Sequence, residues 1–258
     1  MIMEKEASSK AMVFVVEKMK IVMLNGQNHK GSTYHIGRMI ADKIAGDNEI
    51  LEFFFPRDLN HFCMGCYGCI EDEKACPYYE EKKVILDAVE EADVLIATTP
   101  TYCMHVSAPL KSFIDMTFDY WMVHRPKPCM FGKRAVIVST SAGASPKSAM
   151  KDVEDAFFHM GVPSITKYGI AVQAMNWDTV RDSKKKKIDK DTTRIANKLS
   201  KNKKPHVGIK TRLVFNMMRM MQKNGWGSSP VEKVYWEKNG WFGRKRPWKS
   251  HRTGGRLA

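Results

Sequence analysis

Between residues 19 and 175, short continuous apolar runs alternate with stretches in which apolar residues return every three or four positions. Such runs suit strands buried on both faces, and the intervening period is that of helices with one packed face. Met19–Leu24 is the first run and breaks at Asn25-Gly26. Ser32 and Thr33 can cap a helix that carries Ile36, Met39, Ile40 and Ile44 on one face and closes at Gly46. Ile50–Phe55 is a second strand, followed by a cysteine-rich loop and a helix with Val84, Ile85, Ala88, Val89 and Ala92 on one stripe. Asp93–Thr98 is a third strand, stopped by Pro100. The next helix starts near Pro109 and aligns Leu110, Phe113, Ile114, Thr117, Phe118 and Trp121. Arg134–Thr140 is a fourth strand. Ser145-Pro146 opens a helix with Met150, Val153, Phe157 and Met160, stopped by Gly161, and Ile165–Val172 is a fifth strand.

Five strands alternating with four helices predict right-handed crossovers and an α/β fold with a doubly wound parallel sheet. In such sheets a ligand sits beyond the carboxyl ends of the strands, where the strand order reverses. Residues 1–18 read as an extension before this body of residues 19–180, and residues 181–258 as an appendage after it. Charge supports the second boundary. Residues 181–258 hold 23 Lys and Arg against 5 Asp and Glu, whereas residues 1–180 hold 19 against 23. The cationic character belongs to the tail. An apolar fraction of 43% excludes global disorder. The run Ala11–Val16 falls short of a secretory core of roughly 7–15 apolar residues, and no stretch approaches the ~18 of a membrane span. The expected location is the cytoplasm.

Three loops at strand ends carry candidate chemistry. Loop one, Asn25 to Thr33, joins a strand to a helix. Its glycines let the backbone curl, the helix N-terminus offers unpaired N–H groups, and Ser32 and Thr33 add hydroxyls. Gln27, Asn28 and His29 line it. This suits a terminal phosphate, although the spacing is neither a Walker loop nor a dinucleotide G-x-G-x-x-G. Loop two contains Pro100, Thr101, Tyr102, Cys103, Met104 and His105. Tyr102 offers a flat face, and the N–H groups of Tyr102–His105 are candidates for bonding a planar heterocycle. Loop three, with Thr140, Ser141, Ala142 and Gly143, is small and polar enough for a ring to pack on its backbone.

The order of this phosphate loop, "TPTYCMHVSAPLKSFID" and "STSAGAS" resembles the flavodoxin-like NAD(P)H-dependent FMN reductases, including the iron–sulfur flavoproteins, over roughly residues 19–175. The resemblance implies a flavodoxin-like five-stranded parallel sheet of order 2-1-3-4-5, followed by a basic, mainly helical C-terminal extension. It implies that loop one holds the FMN phosphate and that loop two lines the isoalloxazine. Electrons would pass from NAD(P)H or another reductant through the flavin to a small-molecule or protein acceptor, in a homodimer or homotetramer. The flavin performs the chemistry, so no acid–base pair is required. The sequence departs from the family at Met116, where Arg is usual, and at Gln27-Asn28-His29, where Ser-x-Arg is common. His29 is the candidate to take over the arginine's role near the phosphate. A carrier that never meets a nicotinamide is the alternative within the same fold.

Cys63, Cys66, Cys69 and Cys76 are spaced C-x2-C-x2-C-x6-C. Four thiolates suit a [4Fe–4S] cluster or tetrahedral zinc. The spacing resembles the compact motif of iron–sulfur flavoproteins, and the competing reading is four unligated thiols. In the tail, Lys184–Lys187 reads as a solvated helix face. Val207–Lys223 mixes methionines with Lys210, Arg212, Arg219 and Lys223. It reads as a helix packed on the body or on a second subunit, and alternatively as an interfacial helix meeting an anionic lipid surface. Trp226, Trp236, Trp241 and Trp248 interleave with basic residues, and nucleic-acid binding is the lesser reading of that pattern.

Overall fold

The computed structural model describes residues 19–46, 48–200, 204–227 and 229–249, so the extension 1–18 lies outside the described residues. Five strands, β1 (Ile21–Asn25), β2 (Ile50–Phe54), β3 (Val94–Pro100), β4 (Arg134–Ser141) and β5 (Ser164–Ala171), form one parallel sheet of order β2-β1-β3-β4-β5. Every residue of β1 and β3 is buried, as the apolar runs Ile21–Leu24 and Val94–Ala97 require, and the polar Asn25, Thr98 and Thr99 at their carboxyl ends are buried with them. Register is fixed from Ile21, which lies opposite Ile50 on one side and Val94 on the other.

Helices cover both faces. α1 (Ser32–Ala45) and α6 (Asp182–Leu199) pack Ile36, Ile40, Ile44, Ile188, Ala196 and Leu199 against Ile21, Met23, Val94 and Ile96. On the other face, α3 (Tyr79–Glu91), α4 (Ala108–Asp115) and α5 (Lys147–Met160) bury Ile85, Val89, Leu110, Phe113, Val153 and Phe157. The lysine run 184–187 sits on the first turns of α6, whose inner face is Ile188, Thr192, Ala196 and Leu199. α5 ends at Gly161, whose φ of +101° suits glycine and whose missing Cβ makes room for the Phe131 ring.

One expected element is shorter than its periodicity. The helix starting near Pro109 stops at Asp115, and Phe118–Tyr120 forms a separate 3-10 turn. Thr117 Oγ1 donates to the Ile114 carbonyl at 2.7 Å, which a longer helix would need for its own N–H ladder. A short helix, α2 (Gly68–Glu71), stands inside the cysteine-rich loop.

The tail builds a third apolar cluster. α7 (Ile209–Lys223) and α8 (Pro230–Lys238) bring Phe215, Trp236 and Trp241 against Met122 and Phe131. The Trp236 indole donates to the His124 carbonyl at 2.6 Å. The Arg219 guanidinium donates to the carbonyls of Trp241 and Phe242 at 2.7 Å each. Phe131 lies just before β4 and Phe158 in the last turn of α5, so this cluster caps the amino end of the sheet. No helix among the described residues is long and apolar enough to cross a membrane.

Candidate functional site

At the carboxyl end of β1 the chain turns at Gly26, whose N–H donates to the Thr98 carbonyl at 2.7 Å. A Cβ there would lie 2.5 Å from Ser107 Oγ and 2.8 Å from Thr98 O, so only glycine lets the strands of this edge approach. Gly31, rather than Ser32 or Thr33, occupies the N-cap of α1. No side chain caps the helix, and no acidic residue stands in its first turn. Ser32 and Thr33 are instead its first two residues, both buried. The first-turn N–H groups thus face the loop with a positive dipole end behind them. The Gln27 and His29 side chains converge over Gly31, 3.4 and 3.1 Å from the position of a hypothetical Cβ. Asn28 and His29 are exposed, and Gln27 is buried.

Side-chain bonds join the three loops. Thr33 Oγ1 lies 2.6 Å from Thr140 Oγ1, which couples loop one to the end of β4. Thr101 reaches the same strand twice, through its N–H to Thr140 O at 2.8 Å and through Oγ1 to Ser139 Oγ at 3.1 Å. Tyr102 Oη donates to Gln27 Oε1 at 3.3 Å. Pro100 is the last residue of β3, paired opposite Thr140. Thr140 and Ser141 end β4, and Ala142 and Gly143 follow on the exposed rim.

Loop two differs from the expectation in one respect. Tyr102 and His105 form an antiparallel bridge in which each N–H donates to the other's carbonyl, at 3.2 and 3.0 Å. Their N–H groups are therefore occupied. The two residues at the tip, Cys103 and Met104, have φ of +48° and +71°. Paired left-handed residues are what a tight two-residue hairpin demands, and they are uncommon without glycine. Of the four N–H groups expected to face a ring, those of Tyr102 and His105 are thus taken up within the loop. Asp152 of α5 anchors the hairpin, with Oδ2 3.1 Å from His105 Nδ1 and accepting from Val106 N–H at 3.1 Å.

Ser107 was not legible as part of this site. Its hydroxyl donates to Gly26 O at 2.6 Å and lies 3.2 Å from Thr99 Oγ1, which in turn accepts from Ser107 N–H at 3.0 Å. Its position before Ala108-Pro109 reads as an ordinary N-cap, yet the side chain caps nothing and spans loops one and two instead.

The cysteine loop leaves the carboxyl end of β2. Cys63 and Cys66 are exposed, Cys69 and Cys76 half-buried, and all four are free thiols. Burial pushes the Cys69 thiol above its ordinary value, and the nearby Asp119, Cys76 and Cys63 push the same way against Lys82. The four thiols are the right donors for a cluster. Among the described residues, however, no three His, Cys, Asp or Glu side chains converge closely enough to hold a metal. Arg125 clasps the loop from below, donating to Ile70 O at 2.6 Å and to Cys69 O. Beneath it, buried Lys82 and Asp119 lie 3.5 Å apart. Neither Arg125 nor this pair carries a spacing that points to it in the sequence. Tyr78 stacks on His61, and Tyr67 meets Phe118 edge-on, so two of the loop's aromatics have partners in their own chain.

An open parallel sheet with an uncapped helix N-terminus at its switch point is the architecture of a phosphate-anchored cofactor domain. Residues 19–176 match the family model for NADPH-dependent FMN reductase, and the chain belongs to that family. An iron–sulfur flavoprotein of Methanocaldococcus jannaschii is 29% identical over 147 residues, 54% of this chain and 72% of that protein. An iron–sulfur flavoprotein of Archaeoglobus fulgidus is 28% identical over 98 residues, 38% of this chain, so the match spans about half (48%) of that relative's length. Among solved structures, an FMN-dependent NADH-azoreductase from Bacillus anthracis in complex with FMN superposes with a TM-score of 0.52. That superposition covers 69% of this chain and all of the other, at 13% identity. An apo NADH:FMN oxidoreductase gives 0.51, covering 74% of this chain and 96% of the other at 19% identity. These two likenesses speak for the fold.

Proposed function

We propose that residues 19–180 bind FMN at the carboxyl ends of β1, β3 and β4, and that the chain passes electrons from NAD(P)H or another reductant to a small-molecule or protein acceptor. The observation that carries this reading is the uncapped N-terminus of α1 at the end of loop one, a loop joined to its two neighbours by the Thr33–Thr140 bond and by the bond from the Ser107 hydroxyl to Gly26 O. When bound, the flavin supplies the hydride and electron chemistry. The chain's part is placement. The N–H groups and hydroxyls of Ser32 and Thr33 receive the phosphate, with His29 and Gln27 beside it. Cys103 and Met104 offer N–H donors at the ring, and Tyr102, half-exposed, presents its face at the mouth. Ala142 and Gly143 add a small-residue rim. Exposed Tyr102 and Met104 on loop two, with Phe62, Met64 and Tyr67 on the loop after β2, leave apolar surface at the same end of the sheet. That surface fits the contact of a homodimer or homotetramer, which light scattering tests.

The purified protein is expected to be yellow, with flavin bands near about 370 and 450 nm that bleach anaerobically with NADPH or NADH. Ser32→Asp places a negative charge at the buried phosphate end and should weaken FMN binding at least tenfold, or about 1.4 kcal/mol. An FMN titration showing unchanged affinity would assign the phosphate to another loop. A nicotinamide that fails to bleach bound flavin leaves the carrier reading in place of the enzyme.

The C-x2-C-x2-C-x6-C spacing and the iron–sulfur flavoprotein relatives favour a second reading, in which Cys63, Cys66, Cys69 and Cys76 hold a [4Fe–4S] cluster beside the flavin. Since burial favours the protonated Cys69, a metal would have to displace that proton and draw the loop together. Iron and sulfide analysis after anaerobic reconstitution tests it. No metal uptake identifies the four as plain thiols.

A further inference from the structure

α7 has two opposite faces. At about 100° per residue, Thr211, Phe215, Met218 and Gln222 form the face turned to the body. Ile209, Leu213, Met217 and Met220 fall together on the far side and are exposed, Ile209 to 76% and Leu213 to 66%. Trp226, just past the helix, is 65% exposed. Such an aliphatic stripe ending in a tryptophan is unusual on a surface that meets only water. Its flanks are basic. Lys210 lies along one side, its ammonium 4.4 Å above the Phe158 ring, and Arg212 and Lys223 lie along the other. Residues 192–231 carry nine Lys and Arg and no Asp or Glu.

We propose that this outer face of α7 seats the protein on a bilayer carrying anionic lipid, with Ile209, Leu213, Met217, Met220 and Trp226 entering the headgroup boundary. The chemistry favours that occupant over a second copy of the chain. A self-complementary contact would set one acid-free face, with Lys210, Arg212 and Lys223, against another. An anionic membrane satisfies both the apolar stripe and its cationic flanks, the pattern of a helix lying in the interface plane. Each basic residue near such a surface adds to the attraction, which salt screens. The arrangement is sterically free, because α7 packs at the amino end of the sheet and the proposed flavin loops stand at the carboxyl end. The inference does not depend on the flavin reading.

The test is co-sedimentation of the full chain with phosphatidylcholine vesicles, with and without phosphatidylglycerol. The bound fraction should rise about tenfold or more with the anionic lipid and fall as salt is added. Leu213→Glu combined with Met217→Glu alters two exposed positions and should abolish binding with an unchanged Tm. Arg212→Glu combined with Lys223→Glu should remove the preference for anionic lipid. Absence of binding to either vesicle overturns the proposal, as does binding that survives the Leu213/Met217 change. A lower oligomeric state in that variant, without vesicle binding by the parent, would assign the face to a second copy. Retention on an acidic protein without vesicle binding would assign it to such a partner. Binding that emerges only after removal of residues 1–18 would assign the face to that segment.

Discussion

Ser107 ties loops one and two through one hydroxyl, and Gly26 is the residue that lets them meet. Ser107→Ala removes the donor to Gly26 O and leaves that buried carbonyl unpaired, which should destabilise the fold by about 1–3 kcal/mol. The same change should weaken FMN binding, because loop one loses its tether to loop two. Denaturant midpoints and FMN titrations on one preparation check both, and an unaltered FMN affinity would make Ser107 purely structural. Arg125 has the analogous place under the cysteine loop. Arg125→Ala frees the carbonyls of Cys69 and Ile70 and should loosen α2. A thiol reagent should then modify half-buried Cys69 several-fold faster, while the exposed Cys63 and Cys66 react at their former rate, as peptide mapping by mass spectrometry would show.

At the scale of elements, the strands followed from apolar runs and turn residues, because burial on both faces leaves a continuous signature, whereas their order came only from the family resemblance. The helix faces followed from their period. What stayed hidden depended on contacts between elements. Ser32 and Thr33 read as caps by residue type, yet Gly31 takes the cap position and leaves the helix end open. The bridge between Tyr102 and His105 consumes N–H groups that a linear reading leaves available. Ser107, Asp152 and Arg125 are each isolated in sequence and acquire a role only when the loop they hold arrives from elsewhere.

The helices also carry a pH response. His35 of α1 stacks on Trp177 at 5.3 Å, and His159 of α5 on Trp121 at 4.8 Å. Burial lowers both below the ordinary value of 6.5. The unfolded chain therefore takes up protons near 6.5 that the native rings still refuse. Their contribution to stability is full above that pH and declines as pH falls from 6.5 toward the lower folded values. Both rings are partly exposed, so the decline is modest. Urea midpoints at successive pH values through this window should fall in the parent and flatten in a His35→Asn, His159→Asn double variant. A parallel decline in both would place the response elsewhere.

At the scale of the whole molecule, the charge boundary near residue 181 does not coincide with a packing boundary. α6 lies beyond it in sequence, but Ile188, Ala196 and Leu199 belong to the same cluster as the strands they cover. The basic, tryptophan-rich segment that follows carries its own core, in which Phe215, Trp236 and Trp241 stand 4.9–5.4 Å apart by ring centroids. Trp236 is fully buried, and its indole serves the His124 carbonyl. Beside it, His124 Nδ1 lies 2.6 Å from Glu232 Oε1, and Gln222 donates to the other carboxylate oxygen at 3.0 Å. Trp236→Ala would empty the centre of this cluster and strand the His124 carbonyl, a loss of about 3–5 kcal/mol. Because the cluster caps the amino end of the sheet, FMN affinity should survive wherever the variant remains folded. Chemical denaturation with a flavin titration at low denaturant separates the two readouts. If stability were unchanged, the tail would be a passenger and the third core energetically idle. If FMN affinity fell in step with stability, the two ends of the sheet would be coupled through β4 and α5, the elements that run between them.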